Sequence, residues 1–394
     1  LQFQRLPIFP LLANPLFHGV GVHGLYLLPA LGGAVSGVLA LSLLKERDRR
    51  FAMWLLIAFG SPIYIYAMLF WEHTLAVSLG LAGAWLSFRL ESLHADKSPL
   101  YRTVAWAAVG LLLGISVYIR LEMVIFALAL LLAYGAVVSE NRGGILWAGV
   151  TLGLVMLPYR PLHGLLFSGQ KVAGNAAYLF YPFVYLSDAG WRVVPDLLVG
   201  PFSHGAIDTG WLGVLWAGAA VVVIVQSWGV KDSWVKRCID VVGLVVVIII
   251  SAIFLFTPRF YRSAHGLLFT TPWALLGLSR AREVWRGGDW RARVVVLMTW
   301  MGVLGYIVGI VILRGSMPHG GLEWGARFAM AFYPLLALIA AWDLGDKRGD
   351  VIMRTVVAAL LLLGLGFQVR GLYVIRHDKQ INLTLNQGLI RMPE

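Results

Sequence analysis

Apolar runs of about 15–20 residues alternate with short polar connections along almost the whole chain. Runs of this length with few charges mark helices that span a membrane. The hydrophobic period adds little to the assignment, because lipid-facing helices are apolar all round. We predict an all-α polytopic membrane protein whose residues 1–394 form one transmembrane domain. Its predicted membrane spans, about 12 in number, are 25–44, 51–67, 74–90, 104–119, 121–138, 144–160, 211–228, 239–257, 265–279, 294–313, 328–343 and 354–372.

The short connections between these runs differ in charge from one side to the other. The connections on one side hold 19 Lys and Arg residues, whereas those on the opposite side hold 5. Lys and Arg accumulate in cytoplasmic loops, so the first side is predicted to be cytoplasmic. The long loop at 158–210 and the tail at 373–394 are then predicted to lie outside.

Composition excludes a soluble globule. Hydrophobic residues make up 59% of the chain and charged residues 13%, compared with roughly 25% charge in soluble domains. The net charge of +12 follows from basic cytoplasmic loops, so we predict membrane lipids rather than nucleic acid as partners. Cys238 is the single cysteine, and the chain therefore forms no internal disulfide.

Charged residues at the predicted outer ends of helices are the candidate site, because such groups are costly near hydrocarbon. Glu72 and His73 follow a segment in which Pro62 is expected to kink or end the helix. A neighbouring carboxylate and imidazole can share a proton or bind a divalent metal cation, so Glu72 and His73 are the candidate catalytic residues and the candidate metal ligands. The alternative is an interfacial cluster, with Trp71, that reaches toward water.

A second candidate lies in the stretch Gly114 to Met123, where two predicted spans join with almost no loop. Arg120 and Glu122 must therefore lie close to the hydrocarbon boundary. An arginine at this depth suits the phosphate of a lipid, which a guanidinium can hold through two hydrogen bonds. An ordinary interfacial anchor is the alternative.

Two further outer segments carry candidate substrate-binding residues. Arg259, Arg262 and His265 lie among aromatic residues, and the alternative there is ordinary loop polarity with an aromatic belt. Glu323, Trp324 and Arg327 follow a glycine-rich turn, where Trp324 is suited to stacking on a sugar and Arg327 to binding an anion. The alternative for this segment is a tight turn whose acidic residue favours the start of a helix.

Common catalytic motifs are absent from the sequence, including a Walker loop, a dinucleotide fingerprint, a zinc spacing and a serine-hydrolase elbow. The predicted spans also lack the central charged residues that an ion-coupled transporter needs. The candidate chemistry is thus confined to the predicted outer face.

The order of these segments resembles the GT-C superfamily of integral-membrane glycosyltransferases, which includes protein O-mannosyltransferases and the lipid A aminoarabinose transferase. The resemblance covers about Leu1 to Pro334. It rests on the segments RLPIFPLLANPLFHGVGVHGLYLLPALGGAVSGVLA, PIYIYAMLFWEHTLAV, YIRLEM, SAHGLLFTTPW and GGLEWGARFAMAFYP.

This resemblance implies a sugar donor on a polyprenyl phosphate, an inverting transfer and an outward-facing cavity. It also implies a catalytic Asp in the first outer loop, but Leu1 to His23 contains no acidic residue. We therefore expect the base, and a first membrane span, to lie upstream of Leu1. Glu72 matches by place a second acidic position of the family.

Two other functions stay open on the sequence. A transporter or flippase of lipid-linked sugars would use polar residues along a path through the membrane. A catalytically inactive GT-C-like subunit would serve a membrane complex, with loop 158–210 making the contacts. The sugar and its lipid, glycan or protein acceptor are left open.

Overall fold

The computed structural model describes residues 8–43, 47–69, 71–93, 98–138, 142–158, 210–229, 234–256, 266–314, 327–342 and 351–377. These residues are 89% helical and contain no strand, which agrees with the predicted all-α class. A 3-10 helix at Arg327–Phe332 precedes the thirteenth of their α-helices. The α-helices are α1 (Ile8–Val20), α2 (Val22–Ser42), α3 (Arg47–Ala58), α4 (Ile63–Ala67), α5 (His73–Leu93), α6 (Pro99–Ile119), α7 (Met123–Val137), α8 (Arg142–Met156), α9 (Gly210–Gly229), α10 (Trp234–Phe256), α11 (Ala274–Gly287), α12 (Trp290–Arg314), α13 (Tyr333–Trp342) and α14 (Val351–His377).

Five segments within these helices are long and apolar enough to cross a membrane. They are Val22–Ser42, Pro99–Ile119, Cys238–Phe256, Trp290–Gly309 and Arg354–Tyr373. Four shorter apolar segments, of 10–17 residues, are Met123–Val137, Arg142–Met156, Trp211–Ser227 and Ala329–Trp342. The helical content and these apolar segments are those of a helical membrane protein, whereas the number of 12 spans stays a prediction.

The segment predicted as one span at 51–67 is broken. α3 ends at Ala58 and α4 begins at Ile63, with Pro62 in the cap position before it. Proline has no N–H to continue the helical ladder, and the break expected at Pro62 is confirmed. Ser61 replaces part of the lost ladder, since its hydroxyl donates to the Ile57 carbonyl at 2.7 Å.

The predicted span at 265–279 also differs from the structure. Residues 266–273 form turns, and α11 begins only at Ala274 and continues to Gly287. The charged residues from Arg280 onward therefore extend the helix rather than end it. At the other end of the chain, α1 covers Ile8–Val20, a helix that lies outside the predicted spans.

Trp273 joins the two irregular segments. Its indole N–H donates to the carbonyl oxygen of Gly60 at 2.6 Å, so the carbonyl freed by the broken helix has a partner. Gly364 of α14 packs on the same ring: a methyl group added there would lie 2.9 Å from Trp273 Cδ1. Buried backbone groups need such partners, and this contact explains how the break is tolerated in the interior.

Small residues set the closest helix crossings. A methyl group added at Gly110 of α6 would lie 2.2 Å from the carbonyl oxygen of Ala148 in α8. At Gly114, one turn further along, it would lie 2.8 Å from Val155. Paired glycines four residues apart let helices approach closely in an apolar medium. The α6–α8 crossing therefore depends on this pair.

Candidate functional site

Two short breaks between helices place the candidate residues. Glu72 lies in the residues between α4 and α5, directly before His73 begins α5. Arg120 and Glu122 lie in the three-residue connection between α6 and α7, where Arg120 ends α6 in an extended conformation and Glu122 precedes α7. Because α5 packs on both α6 and α7, the two breaks meet at one end of the three helices.

Arg120 is held between two carboxylates. Its Nη1 donates to Glu72 Oε1 at 2.7 Å, and its Nε donates to Glu122 Oε1 at 2.5 Å. Nη2 donates to the same Glu122 oxygen. The structure therefore brings Arg120 and Glu72 together across 48 positions of sequence.

The three side chains form a nearly buried ionic cluster. Arg120 is 3% exposed, Glu72 is 14% exposed and Glu122 is 21% exposed. A buried guanidinium is costly unless its charge is balanced and its N–H groups are bonded; here two carboxylates balance the charge and each of the three nitrogens donates a hydrogen bond. With both carboxylates ionised, the cluster carries a formal charge of −1. Both carboxylates keep some access from outside the protein.

Contacts between α5 and α6 fix the geometry of the cluster. The hydroxyl of Ser116 donates to the Ala76 carbonyl at 2.7 Å, one turn from Arg120 on α6 and one turn from Glu72 on α5. The Arg120 N–H donates to the Ser116 carbonyl at 3.0 Å. These buried bonds hold the two breaks in register, so the carboxylate and the guanidinium meet without a flexible connection.

The cluster lies beside the interior of α2 rather than level with the first residue of that helix. Thr74, two residues after Glu72, donates from its hydroxyl to the Pro29 carbonyl at 2.8 Å. Pro29 is about two turns from the start of α2 at Val22, which corresponds to roughly 10 Å. Gly32 allows this approach, because a methyl group there would lie 2.6 Å from the Leu75 nitrogen. Relative to α2, the site is recessed.

His73 is packed among aromatic rings beside the ionic cluster. It is 3% exposed, and its ring stacks on Trp71 with centroids 5.3 Å apart. Tyr66 of α4 lies 5.2 Å from His73 and 5.7 Å from Trp71, measured between ring centroids. This packing fixes the orientation of the imidazole next to Glu72. The His73 side chain is thus held in the interior and does not reach toward water.

The metal prediction has no complete ligand set in the part of the chain that the structure describes. No group of three or more His, Cys, Asp or Glu side chains that could hold a metal ion occurs among those residues. Zinc sites use at least three protein ligands, and magnesium sites complete their shell with water and phosphate. Cation binding at Glu72 and His73 stays a prediction.

The other candidates lie largely outside the described ranges. Arg259, Arg262, His265, Glu323 and Trp324 fall in the gaps at 257–265 and 315–326. For Arg327 the backbone is described, at the start of the 3-10 helix. The same short helix ends at Phe332, whose ring lies 5.8 Å from that of Phe126, one turn beyond Glu122 in α7. The 3-10 helix that starts at Arg327 therefore packs against α7, the helix that directly follows Glu122.

Sequence reasoning missed the polar contacts that align the site, namely those of Ser116 and Thr74 with carbonyl oxygens on neighbouring helices. Both residues are fully or almost fully buried in apolar surroundings. A hydroxyl in a membrane helix is a weak signal by itself, because it can also bond to its own helix, as Ser36 does with Gly32. Only the crossing of two helices reveals which alternative applies.

A second polar contact lies near the opposite end of α5. The Tyr134 hydroxyl of α7 donates to Glu91 Oε2 at 3.1 Å, with Trp106 and Trp290 packed against the tyrosine ring. Glu91 belongs to the last turn of α5 and Glu72 directly precedes its first, so the two carboxylates are separated by the length of the helix. Glu91 therefore offers a matched control for changes at Glu72.

Comparison of the chain with known protein families, with curated proteins and with solved structures finds no match. The function must accordingly be argued from the site itself. What the geometry provides is a buried arginine fixed between two partly accessible carboxylates, beside a histidine held by aromatic rings.

Proposed function

We propose that this chain is an integral-membrane glycosyltransferase of the GT-C type. In this proposal it has about 12 spans in a bacterial inner membrane and transfers a sugar from a polyprenyl phosphate at the outward face. The acceptor is a hydroxyl group of a lipid, a glycan or a protein. The observation that carries the proposal is the recessed cluster of Glu72, Arg120 and Glu122. It supplies a proton acceptor and a phosphate-binding cation within hydrogen-bond distance of each other.

The proposed reaction is an inverting substitution at the anomeric carbon of the sugar. The bond from this carbon to the phosphate oxygen breaks, and a bond to the acceptor oxygen forms on the opposite face. The acceptor proton passes to a carboxylate, and polyprenyl phosphate leaves as an anion. Because the leaving group is already a good one, the protein contributes mainly a base and positive charge near the phosphate.

Residue roles follow from this scheme. Glu72 deprotonates or orients the acceptor hydroxyl, and His73 keeps the neighbouring backbone and ring packing in place. Arg120 stabilises the developing phosphate charge, and Arg259, Arg262 and Arg327 are the further cations that the sequence provides on this face. Glu122 holds the Arg120 guanidinium in place.

A transporter or flippase of lipid-linked sugars is the second candidate, and one observation favours it. The helix break between Ala58 and Ile63 lies in the interior, where the Gly60 carbonyl is bound by Trp273. Discontinuous helices often form substrate sites in transporters. An inactive subunit of a membrane complex is a third candidate, which the enzyme assay below addresses directly.

The experiment is a transfer assay with polyprenyl-phosphate sugars on the purified full chain and on Glu72→Gln. Glutamine keeps the shape of the side chain and removes its charge. We expect turnover to fall by roughly 10²-fold or more, the low end for a lost acid–base group, with little change in expression. Glu91→Gln, which neutralises a carboxylate at the other end of the same helix, should keep activity. Normal turnover in Glu72→Gln would assign the chemistry to other residues.

The wild-type protein distinguishes the remaining candidates. Binding of the donor without any transfer to lipid, glycan or protein acceptors contradicts the enzyme proposal. Movement of a fluorescent lipid-linked sugar between bilayer leaflets, in vesicles that contain the purified protein, would instead support the transporter.

A further inference from the structure

Arg120 makes unequal contacts with its two carboxylates. Nε and Nη2 both donate to one oxygen of Glu122, which is two positions away and belongs to the same turn. Glu72 belongs to a different part of the chain and receives its hydrogen bond from Nη1. Glu122 is therefore tied to Arg120 through the turn that carries both residues, whereas Glu72 approaches the guanidinium from the separate break between α4 and α5.

We infer that Glu72 is an exchangeable partner of Arg120, which an incoming phosphate group displaces, and that Glu122 is the fixed partner. This inference rests on the proposed function and deepens it, since it assigns the order in which the site is used. The donor phosphate binds first and takes the place of Glu72 on the guanidinium. Glu72, released from Arg120, then accepts the proton of the acceptor hydroxyl.

Charge balance supports an exchange rather than a simple addition. Arg120 already faces two carboxylates, and a phosphate added as a third anion would be repelled in this nearly buried position. The phosphodiester of the donor is a monoanion, as is the Glu72 carboxylate, so the exchange of one for the other leaves the charge next to the guanidinium unchanged. A carboxylate bound to a guanidinium is also a weaker base, because the ion pair favours its ionised form. Exchange thus couples donor binding to activation of the base.

Glu122 is a positioning residue in this scheme. Its bonds occupy the Nε and Nη2 edge of Arg120 and keep Nη1 directed toward the position of Glu72. The Arg120 backbone is anchored as well, through its N–H bond to Ser116. A phosphate that replaces Glu72 therefore meets an arginine of fixed orientation.

The test compares two substitutions that remove the same charge. Binding of a polyprenyl monophosphate is measured with the full-length chain in lipid nanodiscs, with the polyprenol of equal length as a neutral reference. Glu72→Gln should tighten phosphate binding about tenfold because the competing carboxylate is gone. Glu122→Gln should weaken it about tenfold because Arg120 loses its fixed partner. Glu91→Gln, the control, should stay within about twofold of wild type.

Equal tightening in Glu72→Gln and Glu122→Gln would show a general field effect and overturn the exchange. Weaker binding in Glu72→Gln would do the same, because Glu72 would then support the bound state. Equal binding of the phosphate and the polyprenol by the wild type would instead refute the proposed donor, and with it the proposed function. The two failures are thus distinguishable.

A second measurement needs no variant. Infrared difference spectra of the wild-type protein, recorded on addition of the polyprenyl monophosphate, should show a shifted glutamate carboxylate band. The shift arises because Glu72 exchanges a guanidinium partner for water or the acceptor. Unchanged carboxylate bands with bound phosphate would overturn the exchange even if Glu72→Gln fails to fold.

Discussion

The crossing of α6 and α8 makes a quantitative prediction, because two glycines in the same apolar setting differ in what surrounds them. A methyl group added at Gly110 would lie 2.2 Å from the Ala148 carbonyl oxygen, where ordinary contacts begin at about 3.4 Å. A methyl group added at Gly149, in α8 itself, meets no described atom within 4 Å. Gly110→Ala and Gly149→Ala are therefore a matched pair.

For Gly110→Ala the obstacle is backbone, which has no rotamer to relieve the contact, so the two helices must separate by about 1 Å. Overpacking of this kind costs about 1–3 kcal/mol, and the separation also weakens dispersion contacts along the crossing. Alanine gains up to ~1 kcal/mol over glycine in a helix. We expect Gly110→Ala to lose about 2 kcal/mol in the free energy of unfolding and Gly149→Ala to gain up to ~1 kcal/mol.

The assay is unfolding of the purified chain in detergent micelles, followed by far-ultraviolet circular dichroism as a denaturing detergent is added. The two variants should differ by about 3 kcal/mol in the free energy of unfolding. The helix propensity of alanine drops out of this difference, because both variants replace glycine by alanine in a helix. If Gly110→Ala is as stable as Gly149→Ala, then α6 and α8 do not cross at this point.

Two further predictions use the same protein. Trp273→Phe removes the N–H that binds the Gly60 carbonyl at 2.6 Å and should lower the free energy of unfolding by about 1–3 kcal/mol, whereas Trp285→Phe, at a side chain that is 37% exposed, should change it little. Equal effects of the two changes would contradict the role of Trp273 in closing the helix break. In a Cys238→Ser background, a cysteine at Ser187 should react with a membrane-impermeant thiol reagent in cells with an intact inner membrane, and a cysteine at Arg286 only after permeabilisation. The reverse order would refute the outward orientation on which the proposed site depends.

Two features of the site could be predicted from the sequence: its charged residues and the helix break at Pro62. A charged side chain in an apolar chain is costly to bury unless it pairs with an opposite charge. Arg120, Glu72 and Glu122 could therefore be singled out from the sequence before their ion pairs were known. Proline lacks the backbone N–H, which made the break at Pro62 predictable as well. The boundaries at 265–279 were not predictable, because apolar turns and apolar helices have the same composition.

The sequence by itself determined the helical class, the apolar segments and the residues that are expensive to bury, because these depend on local composition and on single side chains. Tertiary structure decided which of these residues meet. The Thr74 hydroxyl bonds to α2 where Gly32 permits a close crossing, the Ser116 hydroxyl bonds from α6 to α5, and no local pattern encodes either crossing. The contact of Arg120 with Glu72 likewise depends on the packing of α5 against α6 and α7, where hydrogen bonds across 40 or more positions of sequence join the helices.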